Sequence, residues 1–294
     1  MVQDPFPGFD RLDLATSGAA IRLRRGGNGP PLLLLHGYPQ THLMWRRIAP
    51  RLAERFTLVC PDLRGYGDSA KPPSAPDHAP YSKRAMARDM AEVMSALGHA
   101  RFFVGAHDRG ARVAHRLALD HSDRVLKLAT LDIAPTREMY RDATDAFARA
   151  YWHWFFLIQP APLPERMIGV DPDFYWKSRR ASDMALFEPD ILSEYLRCFR
   201  EPATIHATCE DYRAAATIDI AHDDADGGKT IACPLLALWG ENGAVGRCFD
   251  VLALWRERAA DVRGHALPGG HYLAEEVPDM VADAFERFFT TGKA

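Results

Sequence analysis

The stretch "RFFVGAHDRGAR" (residues 101–112) decides how the rest of the chain is read. Its first part, "RFFVGAHD", is a short continuous apolar run, the pattern of a strand buried on both faces of a parallel sheet. Residues 109–120 then turn helical in pattern. Asp108 stands at the junction, flanked by the small residues Ala106 and Gly110. A strand, tight turn and helix in this order push the central side chain out above the sheet. A carboxylate placed there is suited to direct displacement at an sp3 carbon, which gives an ester intermediate. The plainer alternative is an aspartate that only caps the helix, since aspartate is a favoured N-cap.

The same texture extends in both directions. "PLLLLHG" (31–37), "FTLVCPD" (56–62) and "VLKLATLD" (125–132) read as further buried strands, with helix-like segments at 42–54 and 82–97 between them. In the second helix Met86, Met90, Val93, Met94 and Leu97 recur at helical spacing, a core-facing stripe that Gly98 ends. After Pro135 the character changes. Residues 137–228 are rich in aromatics and arginines and look helical, without a strand run. Within them "YWHWFFLIQPAPLPE" ends a helix in a proline-rich connector, and "HDDADGGKT" (222–230) reads as an exposed link. The α/β pattern resumes with "CPLLALWGENG" (233–243), a strand near "VRGHAL" (262–267) and a final helix near 276–290. The expectation is an α/β core in two parts, 1–136 and 229–294, interrupted by a helical cap over 137–228. Sites in open parallel sheets lie at the carboxyl ends of the strands, where this chain concentrates its unusual polar residues.

Bulk properties narrow the classes. The 294 residues are 47% hydrophobic and 26% charged, an ordinary balance with material for a large core. A net charge of -3 points to neither a nucleic-acid binder nor a basic membrane-surface protein. The five cysteines (Cys60, Cys198, Cys209, Cys233, Cys248) lack CxxC spacing, so neither a disulfide framework nor a zinc cluster is expected, and a reducing cytoplasm suits them. No apolar run of membrane-spanning length is seen, and "MVQDPFPGFDRLD" does not read as a signal peptide.

Five further positions complete the candidate site. His271, in "LPGGHYLAEEVP", follows the last strand run, where a general base would fall in chain order. Its acid partner is Asp132, ending "ATLDIAPT", or Glu241 in "LWGENG"; Asp132 is favoured, because the position two beyond Glu241 is Gly243. The alternative for Asp132 is a turn former before "APT". "HGYP" (36–39) places the backbone N–H of Tyr38 to hold an oxyanion, with the N–H of Arg109 as its partner. The side chains of Arg109 and Arg112 share one side of the helix N-terminus, where a cation opposes the helix dipole. Such a pair is explained by a bound anion, best a substrate carboxylate, and it also favours the ionised form of Asp108. The competing explanation is ion pairing with acids at the boundary between core and cap.

The residues resemble the fluoroacetate (haloacetate) dehalogenases of the α/β-hydrolase fold. The matching strings are "LLLLHGYPQTHLMW", "DLRGYGDS", "HDRGAR", "LDIAPT", "YWHWFFLIQPAPLPE", "EDYRAAA" and "LPGGHYLAEE", spread from about residue 30 to 285. The resemblance implies a mostly parallel sheet flanked by helices, with a helical cap insertion. It implies Asp108 as nucleophile, His271 as base, Asp132 as its acid, and Arg109 and Arg112 as the carboxylate clamp. His153, Trp154 and Tyr212 would hold the departing halide; read without the family, "YWHWFF" is simply an apolar helix face. The implied reaction converts a haloacetate to glycolate and halide through an aspartyl ester, with no metal or organic cofactor and with a homodimer as the assembly. Three departures stand out: Ala106 replaces a glycine, Tyr38 replaces a phenylalanine, and "WKSRRASDMALFEPD" (176–190) lacks a central tryptophan. The nearest rival is an epoxide hydrolase, which needs Tyr212 and a second cap tyrosine among Tyr140, Tyr151, Tyr175 and Tyr195 but leaves the arginine pair unexplained. A non-catalytic carboxylate-binding protein would need neither Asp132 nor His271, and a serine esterase is at odds with Asp108.

Overall fold

The computed structural model describes residues 4–178 and 184–291. Among these, eight strands form one sheet in the order β1-β2-β4-β3-β5-β6-β7-β8. They are β1 (Asp10–Ala15), β2 (Ala20–Gly26), β3 (Pro31–Leu35), β4 (Thr57–Pro61), β5 (Phe102–His107), β6 (Val125–Leu131), β7 (Leu235–Gly240) and β8 (Val262–Leu267). From β4 to β8 every neighbouring pair is parallel, and β2 pairs antiparallel with both β1 and β4. The central strands are buried throughout, as their unbroken apolar runs require.

The strands β1 and β2 were not legible as apolar runs. They are half-exposed, with Leu12, Leu14, Ile21 and Leu23 alternating with charged residues, which is the period-2 pattern of an outer antiparallel ribbon. The segment expected as one helix over 42–54 is a short 3-10 turn (His42–Trp45) followed by α1 (Ala49–Ala53), with Pro50 in the first helical turn. The next two, α2 (Lys83–Ala96) and α3 (Asp108–Asp120), agree closely with expectation.

Between β6 and β7 the described chain is helical: α4 (Thr136–Arg141), α5 (Asp145–Ala150), α6 (Trp152–Leu157), α7 (Leu163–Val170), α8 (Pro172–Ser178), α9 (Pro189–Phe199), α10 (Pro202–Ala216) and α11 (Ile218–Ala225). The link expected at 222–230 is shorter than read, because α11 continues through Ala225. Asp223 inside it is buried and takes a charge-assisted hydrogen bond from Arg116 of α3, which keeps that turn helical. The core closes with α12 (Ala244–Cys248), α13 (Val251–Arg256), α14 (Leu273–Glu276) and α15 (Pro278–Thr290). Of the segment 176–190, residues 179–183 lie outside the described part. Trp176, at its start, is fully buried and its indole N–H faces the Pro39 carbonyl at 3.5 Å.

Strand register sets up the site. His107 pairs with Leu131, so the residues that follow, Asp108 and Asp132, emerge side by side at the carboxyl edge. The turn at Asp108 survives only because its neighbours lack side chains. A Cβ on Gly110 would stand 2.3 Å from the His36 carbonyl oxygen and 2.7 Å from Leu35 C, and one on Gly37 would stand 2.4 Å from Asp108 Cβ. The α3 N-terminus is thereby pressed against the end of β3. Gly110→Ala is expected to lower stability by about 1–3 kcal/mol or more, since the clash is with backbone that cannot rotate away. Urea denaturation checks this; a variant with an unchanged midpoint would mean that the α3 start can slide off β3.

Candidate active site

Asp108 has φ of 46°, a conformation non-glycine residues rarely adopt, and its side chain is 3% exposed. Helix α3 begins at Asp108, with His107 in the N-cap position. The carboxylate does not cap the helix in the usual way: Oδ1 accepts the Tyr38 backbone N–H at 2.8 Å. Burial raises the Asp108 pKa, but the positive fields of His271, His107, Arg109 and Arg112 outweigh it and hold the group at about 2. It is ionised at neutral pH.

His271 bridges the two carboxylates. Its Nδ1 donates to Asp132 Oδ2 at 2.6 Å, and Nε2 faces Asp108 Oδ2 at 4.0 Å. Asp132 is fully buried, also has positive φ (49°), and accepts the Gly240 N–H on Oδ1 at 3.1 Å. Glu241, the other candidate acid, is exposed. Gly243 lies against Asp132, where a Cβ would come within 3.0 Å of Oδ1. An imidazole fixed through Nδ1 keeps Nε2 available as a base. His107 Nε2 donates to the His271 carbonyl at 2.8 Å and so anchors the loop, a contact that sequence reasoning did not foresee.

A cavity of about 570 Å³ opens over this group, lined by Tyr38, Asp108, Tyr151, His153, Tyr212 and His271, among others. Of the cap residues expected to hold a halide, His153 and Tyr212 line the cavity, and Trp154 packs against Tyr212 without being among the lining residues. His153 stacks on Tyr38 with ring centroids 6.3 Å apart and meets Tyr212 edge-on at 5.9 Å. Trp154 is fully buried next to Tyr212, and its indole N–H has no hydrogen-bond partner. Tyr151 also reaches the triad, with its hydroxyl 3.5 Å from His271 Nδ1.

The arginine pair requires a correction. Arg109 does not present a free fork: Nε and Nη2 bind the two carboxylate oxygens of Asp211 at 2.9 and 2.7 Å, and Nη2 also reaches the Asp211 carbonyl. A fully buried guanidinium needs a counter-charge, and α10 supplies one beside Tyr212, over whose ring Arg109 lies at 4.1 Å. Among the described residues, Nη1 of Arg109 finds no hydrogen-bond partner. Asp211 was missed in the sequence although it lies inside "EDYRAAA". It also binds Lys83 and accepts the Tyr66 hydroxyl at 2.6 Å, and against the effect of burial the charges of Arg109 and Lys83 depress its pKa far below the usual range.

Arg112 differs. It is 3% exposed, and among the described residues it forms no ion pair. Its partners are neutral: the Ala134 carbonyl (3.1 Å), Thr136 Oγ1 (2.8 Å) and Met139 Sδ (3.3 Å), with the guanidinium 4.6 Å over the Trp154 ring. Nε has no partner. Burial, followed by repulsion from Arg109, brings its pKa down to about 10, so it still carries a full charge at neutral pH.

One other cluster has metal-ligating residue types, Glu165, His206 and Glu210. Arg213 Nη1 lies 2.6 and 2.7 Å from the two carboxylates, so its one positive charge is shared between them.

Comparison with known proteins gives the family of the chain. Residues 30–278 match the family model described as the alpha/beta hydrolase fold. The chain is 47% identical to a fluoroacetate dehalogenase from Burkholderia sp, over 98% of this chain and 96% of that one. It is 34% identical to a soluble epoxide hydrolase from Corynebacterium sp. (strain C12), over 93% and 94% respectively. The crystal structure of an alpha/beta hydrolase candidate from Nostoc sp PCC 7120 superimposes with a TM-score of 0.96 at 58% identity, covering 98% of this chain and all of that one.

The buried charges around Asp211 yield a stability test. Asp211→Asn leaves Arg109 and Lys83 without their shared carboxylate and is expected to destabilise the fold by about 3–5 kcal/mol. Thermal or urea denaturation reads the effect; a loss under about 1 kcal/mol would mean that the two cations find other partners.

Proposed function

The chain belongs to the alpha/beta hydrolase fold family, and from that premise we propose that it is a hydrolytic dehalogenase. Its substrates are haloacetates such as fluoroacetate and chloroacetate, and its products are glycolate and halide. One observation carries the choice of an anionic substrate. Arg112 is a buried cation near the nucleophile whose hydrogen-bond partners are all neutral, so that its charge is offset only through space, by Asp108 first, and a second anion would be well received. The unpartnered Nε of Arg112 and Nη1 of Arg109 are the donors left for a substrate carboxylate. This assigns Arg112 the larger part of the clamp, with Arg109 contributing one arm while Asp211 keeps its fork.

In the first step Asp108 attacks the halogen-bearing carbon from the side opposite the halogen. The halide departs toward His153, Trp154 and Tyr212, whose N–H and O–H groups are suited to stabilising a small, strongly hydrated anion. In the second step His271, oriented by Asp132, takes a proton from water, which attacks the aspartyl carbonyl. The backbone N–H groups of Tyr38 and Arg109 stabilise the resulting oxyanion, and glycolate leaves as the Asp108 carboxylate re-forms. The Tyr38 N–H already donates to Asp108 Oδ1, the oxygen position such a hole serves.

Among the described residues no helix is long and apolar enough to cross a membrane. The five cysteines are free, four of them buried, which suits a reducing cytoplasm. Trp152, Leu163, Met167, Val170 and Phe174 are exposed apolar side chains on α6, α7 and α8, and a homodimer would cover them. Sedimentation equilibrium is expected to give twice the chain mass of 32.9 kDa; a monomer at micromolar concentration would overturn the dimer.

The central test is halide release. Incubation with fluoroacetate or chloroacetate is expected to liberate free halide at an ion-selective electrode, and His271→Ala is expected to accumulate an ester on Asp108 visible in the intact mass. No release from any haloacetate, together with turnover of a neutral epoxide, would transfer the assignment to an epoxide hydrolase that uses the same nucleophile.

A further inference from the structure

The loop after β7 has no part in the triad, because the acid comes from β6. What the loop presents instead is a cation. Arg247, on α12, is exposed and lines the mouth of the cavity together with Asn242, Gly243 and Ala244. Its position is built. Val245 in the same helix is fully buried, and a Cβ on Gly246 would strike the Trp239 ring at 2.5 Å, so α12 sits flat on the end of β7. The Arg247 guanidinium donates from Nη1 to the Asn242 carbonyl at 3.0 Å, a neutral partner, and forms no ion pair among the described residues. The other charged lining residues are acids or the base. Asp108 is held by Tyr38 and the buried arginines, and Glu276 accepts the backbone N–H groups of Gly270 and Tyr272.

We infer that Arg247 is a specificity-determining residue, an entrance cation that draws small carboxylates into the cavity before Arg112 grips them. The inference rests on the haloacetate reading. An anionic reactant approaching this opening meets the field of two acids, and the entrance cation offsets it within a Debye length of about 10 Å at 0.1 M salt. Because Arg247 lies at the opening and away from the reacting atoms, its effect belongs in KM and in kcat/KM. The chemical step should be untouched.

The experiment uses the intact enzyme with chloroacetate, following halide release at ionic strengths from about 10 to 500 mM set with a halide-free salt. Arg247→Gln is expected to raise KM about three- to tenfold at low ionic strength, with kcat changed less than about twofold. The difference should fade as salt rises. Arg247→Lys should keep KM within about twofold of the parent, since charge is the requirement. An unchanged KM for Arg247→Gln, or a raised KM that salt does not diminish, overturns the inference while leaving the dehalogenase reading intact. Equal loss in the Lys variant with a lowered thermal midpoint also overturns it, by assigning Arg247 a structural role. If the parent enzyme releases no halide from any haloacetate, the functional reading fails first and this inference falls with it.

Discussion

Everything at the carboxyl edge of the sheet depends on a backbone-to-backbone approach between the start of α3 and the end of β3. Gly110 lies against the His36 carbonyl and Gly37 against the Asp108 side chain, so two missing Cβ atoms set how close the strands' ends can come. That closeness forces the positive φ at Asp108 and puts its carboxylate within reach of the Tyr38 N–H. The same N–H is then available for the charge that develops when the ester is hydrolysed. The strained backbone, the buried carboxylate and the N–H donated to it are thus one geometric fact viewed from three atoms.

The second organising principle is charge compensation in a dry interior. Two arginines one helical turn apart are treated oppositely by the cap. Arg109 is matched to Asp211, which also serves Lys83 and Tyr66, while Arg112 receives only carbonyl, hydroxyl and thioether partners. A cation paired directly with a carboxylate has little left to offer an anion; one whose hydrogen bonds are all to neutral groups keeps more of its field. Asp108 gains from both, because their field adds to that of His271 and His107 in keeping it ionised despite burial.

Much of this was legible in the chain itself. Continuous apolar runs located the buried strands, and the change in texture after Pro135 located the helical insertion. Asp108, Asp132 and His271, which the structure brings together, were identifiable because each follows a strand at the same edge. The hairpin β1–β2 was not legible in the same way, since its half-exposed strands alternate polar and apolar residues and carry no run. Asp211 escaped for a different reason. Ion pairing joins positions a hundred residues apart, and nothing in the local pattern of α10 distinguishes a counter-ion from any other helical aspartate. The arginines signalled that an anion was needed, yet only three dimensions reveal that one of them already has it.

The acid that orients His271 comes from β6, adjacent to the nucleophile's own strand, and this divides labour along the sheet edge. The turn between β7 and α12 is relieved of any proton-handling duty and retains only glycine contacts with Asp132. Such a segment can change its side chains, and with them the electrical character of the doorway, without disturbing the reacting groups beneath. In a scaffold of this kind, what enters and what happens afterwards are free to diverge independently.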